Sequence, residues 1–162
     1  MTLVSVGQTA PGFSLRGIDD KTYQLEKDGA RLTLAVFFKT TCPTCMMAWP
    51  YIERLHQSFS RAGLAVWGIS QDAREASALF ASTHGSTFPI LIDADWRVSR
   101  EYDPAFVPTL LLIDHADKIV DTVVAFDKAG LNRLSESIAL QLNVPAQVIA
   151  LPEDGNPVFK PG

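Results

Sequence analysis

Cysteine is scarce in this chain, with two among 162 residues. Two thiols cannot build a disulfide-stapled secreted scaffold or a four-cysteine zinc site. An excess of one charge is missing too. Fourteen basic and eighteen acidic side chains give a formal net charge of −4, with no five like charges in a row. That leaves neither a basic nucleic-acid patch nor an acidic tail. Apolar runs such as residues 34–38 and 110–113 fall far short of the ~18–20 residues of a membrane helix. Residues 1–7 (Met-Thr-Leu-Val-Ser-Val-Gly) lack the basic and apolar regions of a secretory signal. The expected location is cytoplasmic, or periplasmic or exported if a signal has been removed from this chain.

What is present is an ordinary soluble composition, 47% hydrophobic and 20% charged. A chain of this length makes one domain and buries roughly two-thirds of its unfolded surface without staples. Residues 31–38 (Arg-Leu-Thr-Leu-Ala-Val-Phe-Phe) read as a central strand buried on both faces. Met47, Tyr51, Leu55 and Phe59 then recur at helical spacing over residues 44–61. A second strand at 64–69 and a helix at 73–83, ended by Gly85, follow. A short strand at 89–92 and a short helix at 95–102 come next.

Beyond Pro108, residues 109–113 and 118–125 read as strands joined by Asp114-His115-Ala116-Asp117, a hairpin turn. Residues 127–142 form a last amphipathic helix with Asp127 as N-cap. The order β-α-β-α-β-(α)-β-β-α implies an α/β fold whose mixed sheet is parallel in its first half and antiparallel in its second. Residues 7–25, with Gly7, Pro11, Gly12 and Gly17, suit a small hairpin at the sheet edge. The expected domain spans 1–142. Residues 143–162 carry four of the ten prolines and form an extended tail.

Both cysteines fall in one tetrapeptide, Cys42-Pro43-Thr44-Cys45, between the first strand and the first helix. C-x-x-C in a βαβ setting is a redox signature. Unpaired N–H groups and the positive end of the helix dipole favour a thiolate at the first position. The second thiol, one turn on, can attack a mixed disulfide. Pro43 suits a helix start because it has no amide proton to leave unpaired.

Zinc fits poorly, since His56, His84 and His115 are scattered. A structural disulfide in so small a loop removes little chain entropy. Met46 and Met47 are soft copper(I) ligands by type, but consecutive helical positions point about 100° apart, so packing is the better reading. Trp49, Trp67 and Trp96 read as packing, and Lys39 as a solvated lysine. Phe106-Val107-Pro108-Thr109 is a candidate cis-proline turn, and an ordinary proline at a strand start fits the tripeptide equally. A cis turn would present the backbone of Val107 for β-type pairing with an extended substrate.

With both pieces in place, the chain resembles the thioredoxin-fold redoxins, especially the TlpA-like thiol-disulfide oxidoreductases that border the peroxiredoxins. The likeness covers most of residues 5–142. It rests on Gly7-Gln8-Thr9-Ala10-Pro11-Gly12-Phe13-Ser14-Leu15, on Phe37-Phe38-Lys39-Thr40-Thr41-Cys42-Pro43-Thr44-Cys45 with Pro50 following, and on Val107-Pro108-Thr109. The resemblance implies a thioredoxin fold with Cys42 as nucleophile, Cys45 as resolving cysteine and Pro108 as cis-proline. Three positions depart from it. Thr41 stands where tryptophan is common, and Val36 and Ala48 stand where carboxylates accept the buried thiol's proton. Deprotonating Cys45 is therefore expected to be harder.

The expectation is a disulfide oxidoreductase working as a reductase, with Cys42 and Cys45 catalytic and Val107, Pro108 and Thr41 against the substrate. No cofactor or metal is expected. The expected partners are protein thiols or disulfides and a cellular redox donor, with no nucleic acid or membrane, and the chain is expected to be a monomer. One alternative is a thiol peroxidase, although P-x-x-x-T-x-x-C is broken by Phe38 and Cys42. The other is a binding or copper(I)-carrier module without turnover.

Overall fold

The computed structural model describes residues 4–25 and 32–162, so Arg31, expected at the start of the central strand, lies outside the described residues. That strand, β3 (Leu32–Phe38), is buried along its whole length. It runs parallel to β4 (Leu64–Ser70) on one side and antiparallel to β6 (Thr109–Ile113) on the other. β5 (Ile90–Ile92) extends the sheet beyond β4, and β7 (Ile119–Val124) beyond β6, giving the order β5-β4-β3-β6-β7. Parallel pairs need crossover helices, whereas the β6–β7 pair closes through a tight turn. The sheet is mixed for that reason.

Period-two alternation divides β3 between two cores. Leu34, Val36 and Phe38 point to one face, under α1 (Pro43–Phe59), α2 (Arg74–Thr83) and α4 (Lys128–Leu142). Ala35 and Phe37 point to the other, with Phe13, Trp67, Leu111 and Tyr102 of α3 (Arg97–Tyr102). The N-terminal segment lines this second face. It bridges Thr9 to Lys118 beside β7, then forms the hairpin of β1 (Ser14–Arg16) and β2 (Thr22–Gln24), and bridges Gly17 to Leu91 in β5. The hairpin thus covers the β5 edge of the sheet, which would otherwise present unpaired backbone groups.

Helix ends differ in detail from the sequence pattern. Pro43 stands in the first turn of α1, so the helix begins one residue before the expected boundary, and Ser60–Ala62 continue it as a short 3-10 turn. Asp127 precedes α4, but its side chain makes no capping hydrogen bond; its backbone pairs instead in β8 (Phe126–Asp127). Trp49 and Trp67 are buried, Trp49 against Phe38, Phe80 and Phe88. No helix among the described residues is long and apolar enough to cross a membrane.

Residues 143–162 contain no helix. They run back along α4, held by Asn132, whose Oδ1 accepts the N–H groups of Ile149 and Ala150 at 2.9 Å each. Ile149 and Ala150 are buried in the core. Residues 151–156 then wrap the ammonium of Lys128, which donates to the carbonyls of Leu151, Pro152 and Asn156 and to Asp154 Oδ1 at 2.6 Å. Tyr51 of α1 donates to the other oxygen of Asp154. A lysine buried to this degree needs such a shell, because an unpaired buried charge is costly. The chain finally pairs β9 (Phe159–Lys160) antiparallel to β8.

Candidate active site

β3 ends in a loop that delivers Cys42 to the N-terminus of α1. Asp72, just beyond β4, fixes that loop. Its Oδ2 accepts the backbone N–H of Thr40 at 2.7 Å and the Thr40 hydroxyl at 2.9 Å. Cys42 itself is the N-cap residue, in extended conformation, and its sulfur accepts the N–H of Cys45 at 3.1 Å. One of the helix's free N–H groups is therefore spent on the first sulfur, the interaction that stabilises an anion there.

The two sulfurs meet different surroundings. Cys42 is half-buried, between exposed Thr41 and exposed Pro43, whereas Cys45 is fully buried. Cys45 shares its cluster with Val36, Ala48 and Trp49. Burial, and then its hydrogen bond with Cys42, push the Cys45 thiol well above the ordinary thiol range, while a backbone contact at Lys39 pulls weakly the other way. Val36 and Ala48 supply no acceptor for its proton, as the sequence predicts from their side chains.

The Val107–Pro108 peptide is cis. Val107 faces the cysteines, and its carbonyl oxygen takes a hydrogen bond from the Cys42 thiol at 3.6 Å. The turn is braced from within. Thr109 Oγ1 donates to the Phe106 carbonyl at 2.6 Å, and the Pro108 carbonyl accepts the N–H of Ala125 at 2.8 Å. Cys42, Cys45, Val107 and Thr41 are thus gathered at one end of the sheet, with Pro108 setting the turn behind Val107.

Two neighbours escaped the sequence reading. Trp96 is 39% exposed rather than packed in the core. Its indole N–H donates to the Gln71 carbonyl at 3.0 Å, and the Lys39 ammonium lies 4.7 Å from its ring centroid. Lys39 is therefore held over an aromatic face rather than free in solvent. Together with Phe106, Val107 and Gly162 they line a surface cavity of about 330 Å³. The second neighbour is the tail, which returns to Thr44 and Val107. No local signal joins a position after 158 to one in the redox tetrapeptide. Among the described residues, no three His, Cys, Asp or Glu side chains group so as to hold a metal ion.

The chain matches the AhpC/TSA family over residues 6–122. It is 29% identical over 139 residues to the thiol-disulfide oxidoreductase ResA of Geobacillus kaustophilus, covering 85% of this chain and 80% of that one. It is 30% identical over 122 residues to the thioredoxin-like protein YneN of Bacillus subtilis, covering 73% of this chain and 71% of the relative. A thiol:disulfide interchange protein from Bacteroides sp. superposes with a TM-score of 0.74 at 20% identity, over 96% of each chain. The chain belongs to the AhpC/TSA family, within which its fold and paired cysteines make it a thioredoxin-like thiol–disulfide oxidoreductase.

Proposed function

We propose that this protein exchanges the Cys42-Pro43-Thr44-Cys45 dithiol with disulfides of protein partners, in the reducing direction. The observation that carries the reading is the asymmetry of the pair. A half-buried sulfur caps α1 next to the cis turn, and a buried thiol stands one turn behind it.

The Cys42 thiolate attacks one sulfur of the substrate disulfide. A mixed disulfide forms and the first substrate thiolate leaves. Cys45 then loses its proton and attacks Cys42 Sγ, the second substrate thiolate leaves, and Cys42 and Cys45 are joined. Two electrons have passed to the substrate, and a dithiol donor returns them in a second exchange. Val107 contributes the pairing edge. Its carbonyl oxygen, which accepts the hydrogen bond of the Cys42 thiol, is free for a substrate N–H once Cys42 is joined to the substrate. The reducing direction goes with a cytoplasmic location, where glutathione- and thioredoxin-type thiols keep such a pair reduced.

Thiol peroxidase chemistry, the alternative reading, would fall to Cys45 by its position in the broken P-x-x-x-T-x-x-C motif. Full burial in an apolar cluster deprives Cys45 of the access and thiolate character that peroxide attack requires.

Insulin reduction with a dithiol donor tests the assignment. Wild-type protein turns over, Cys45→Ser accumulates a mixed disulfide on Cys42, and Cys42→Ser forms no adduct. An adduct on Cys45 in the Cys42→Ser protein would reverse the two roles. The potential of the pair against glutathione tests the direction. A value near about −270 mV supports a reductase and one near about −120 mV an oxidant.

A further inference from the structure

The tail ends its course on the two surfaces that flank the nucleophile. Thr44, the residue between Pro43 and Cys45, is only 3% exposed and donates its hydroxyl to the Pro161 carbonyl at 2.6 Å. Gly162 lies against the cis turn. A Cβ built on it would fall 2.2 Å from the Val107 carbonyl oxygen and 3.2 Å from Phe106 Cβ, so only glycine allows the backbones to approach so closely. That oxygen is the acceptor of the Cys42 thiol, on the edge where an extended substrate would pair.

The segment is held firmly over residues 149–156 and lightly over residues 157–162. Ile149 and Ala150 are buried, and Lys128 holds residues 151–156 from inside. Beyond Pro157 the contacts thin to a two-residue ladder with β8, the N–H of Lys128 on the Val158 carbonyl at 3.0 Å, and the Thr44 bond. Val158 and Phe159 stay 68% and 52% exposed. A stretch held this way can lift while residues 149–156 stay in place. Cys42 itself is only half-buried with the strap seated, and Thr41 and Pro43 before and after it are exposed.

We propose that residues 159–162 are a built-in occupant of the substrate groove and set its selectivity: small disulfides reach Cys42 with the strap seated, and an extended polypeptide pairs with Val107 only when the strap lifts. This rests on the thiol–disulfide reading above and adds the accessory element that discriminates between substrates. A site whose open form is a minor population binds its extended substrate more weakly by that fraction.

The test uses the full chain with two disulfides, insulin and bis(2-hydroxyethyl) disulfide, and two variants. Gly162→Ala and Gly162→Val add one and three carbon atoms where the Val107 carbonyl stands. Amide hydrogen exchange at residues 158–160 reports strap release directly. Faster exchange with a KM for insulin lowered about tenfold, and a rate with the small disulfide unchanged within about twofold, supports the strap. Faster exchange with an unchanged insulin KM overturns it, as does an equal gain on both substrates, which would mean general exposure of Cys42. Unchanged exchange in both variants overturns it too, because these contacts would then not seat the segment. If wild-type protein reduces neither disulfide, the redox reading itself fails, an outcome distinct from any difference between the variants.

Discussion

The sulfur of Cys42 receives the backbone N–H of Cys45 at 3.1 Å, so the nucleophile caps the helix that carries its own resolving partner. The same turn that offers the first sulfur a donor lowers the second into an apolar cluster with Val36 and Ala48. One helix start thus leaves one sulfur half-buried and capping the helix, and the other fully buried. Attack on a substrate draws on the first, and release of the product waits on the second.

The pH dependence of release follows from that division. Burial holds the Cys45 thiol above its ordinary range, so its thiolate fraction is small and rises about tenfold per pH unit through the ordinary thiol range near 8.5. Decay of the Cys42 mixed disulfide, followed by stopped flow, should climb from pH 7 to beyond pH 9 without levelling. A plateau near pH 8.5 would show that Cys45 ionises as a free thiol.

Supplying the missing acceptor should relieve the same step. Ala48 lies three residues after Cys45 on α1 and is buried beside it, on the same helix face. In Ala48→Glu, release at pH 7 should accelerate by about tenfold or more, within the span of general base catalysis. The cost is a buried carboxyl group, roughly 1–3 kcal/mol of stability. Stopped-flow decay and urea unfolding measure the two together, and a stable variant with unchanged release would remove proton abstraction as the slow event.

Much of this was legible because local pattern carried it. The unbroken apolar run of β3, the helical spacing of α1 and the position of Cys42 before it are all short-range signals. So were Val36 and Ala48, since a side chain without an acceptor is visible in the sequence. Other features depend on contacts between distant segments. Thr44 and Pro161 are 117 positions apart, and neither residue type announces the other. Asp127 reads as a cap by type, but its backbone is claimed by β9. Trp96 looks like a core residue until the loop after β4 and the turn before β6 give it a half-exposed place between Gln71 and Phe106.

The aromatic cluster behind the site should dominate stability. Trp49 is fully buried, 4.3 Å from Phe38 and 4.8 Å from Phe80 between ring centroids. Trp49→Ala should cost about 3–5 kcal/mol, read from the urea midpoint of the reduced protein. Trp49→Phe keeps most of the ring contacts but loses the indole N–H bond to Ser86, and should cost less. Equal losses would mean that the hydrogen bond, rather than packing, sets the stability of this region.

Asp154 gives the tail an acid-sensitive anchor. Its hydrogen bonds from Lys128 and then Tyr51 hold its carboxyl well below the ordinary carboxylate range. A carboxyl depressed in the folded state stabilises fully above its unfolded value, near 3.9, and loses that contribution as pH falls towards its folded value. Between pH 5 and pH 2 the folded protein should therefore lose stability, and residues 151–156 should exchange their amides faster as the Lys128 shell loosens. Asp154→Asn removes the titrating group. It should lower the urea midpoint at pH 7 and flatten its dependence over the acid range, while the carbonyls of Leu151, Pro152 and Asn156 continue to accept from Lys128. An acid profile as steep in Asp154→Asn as in wild type would place the sensitivity on another carboxylate.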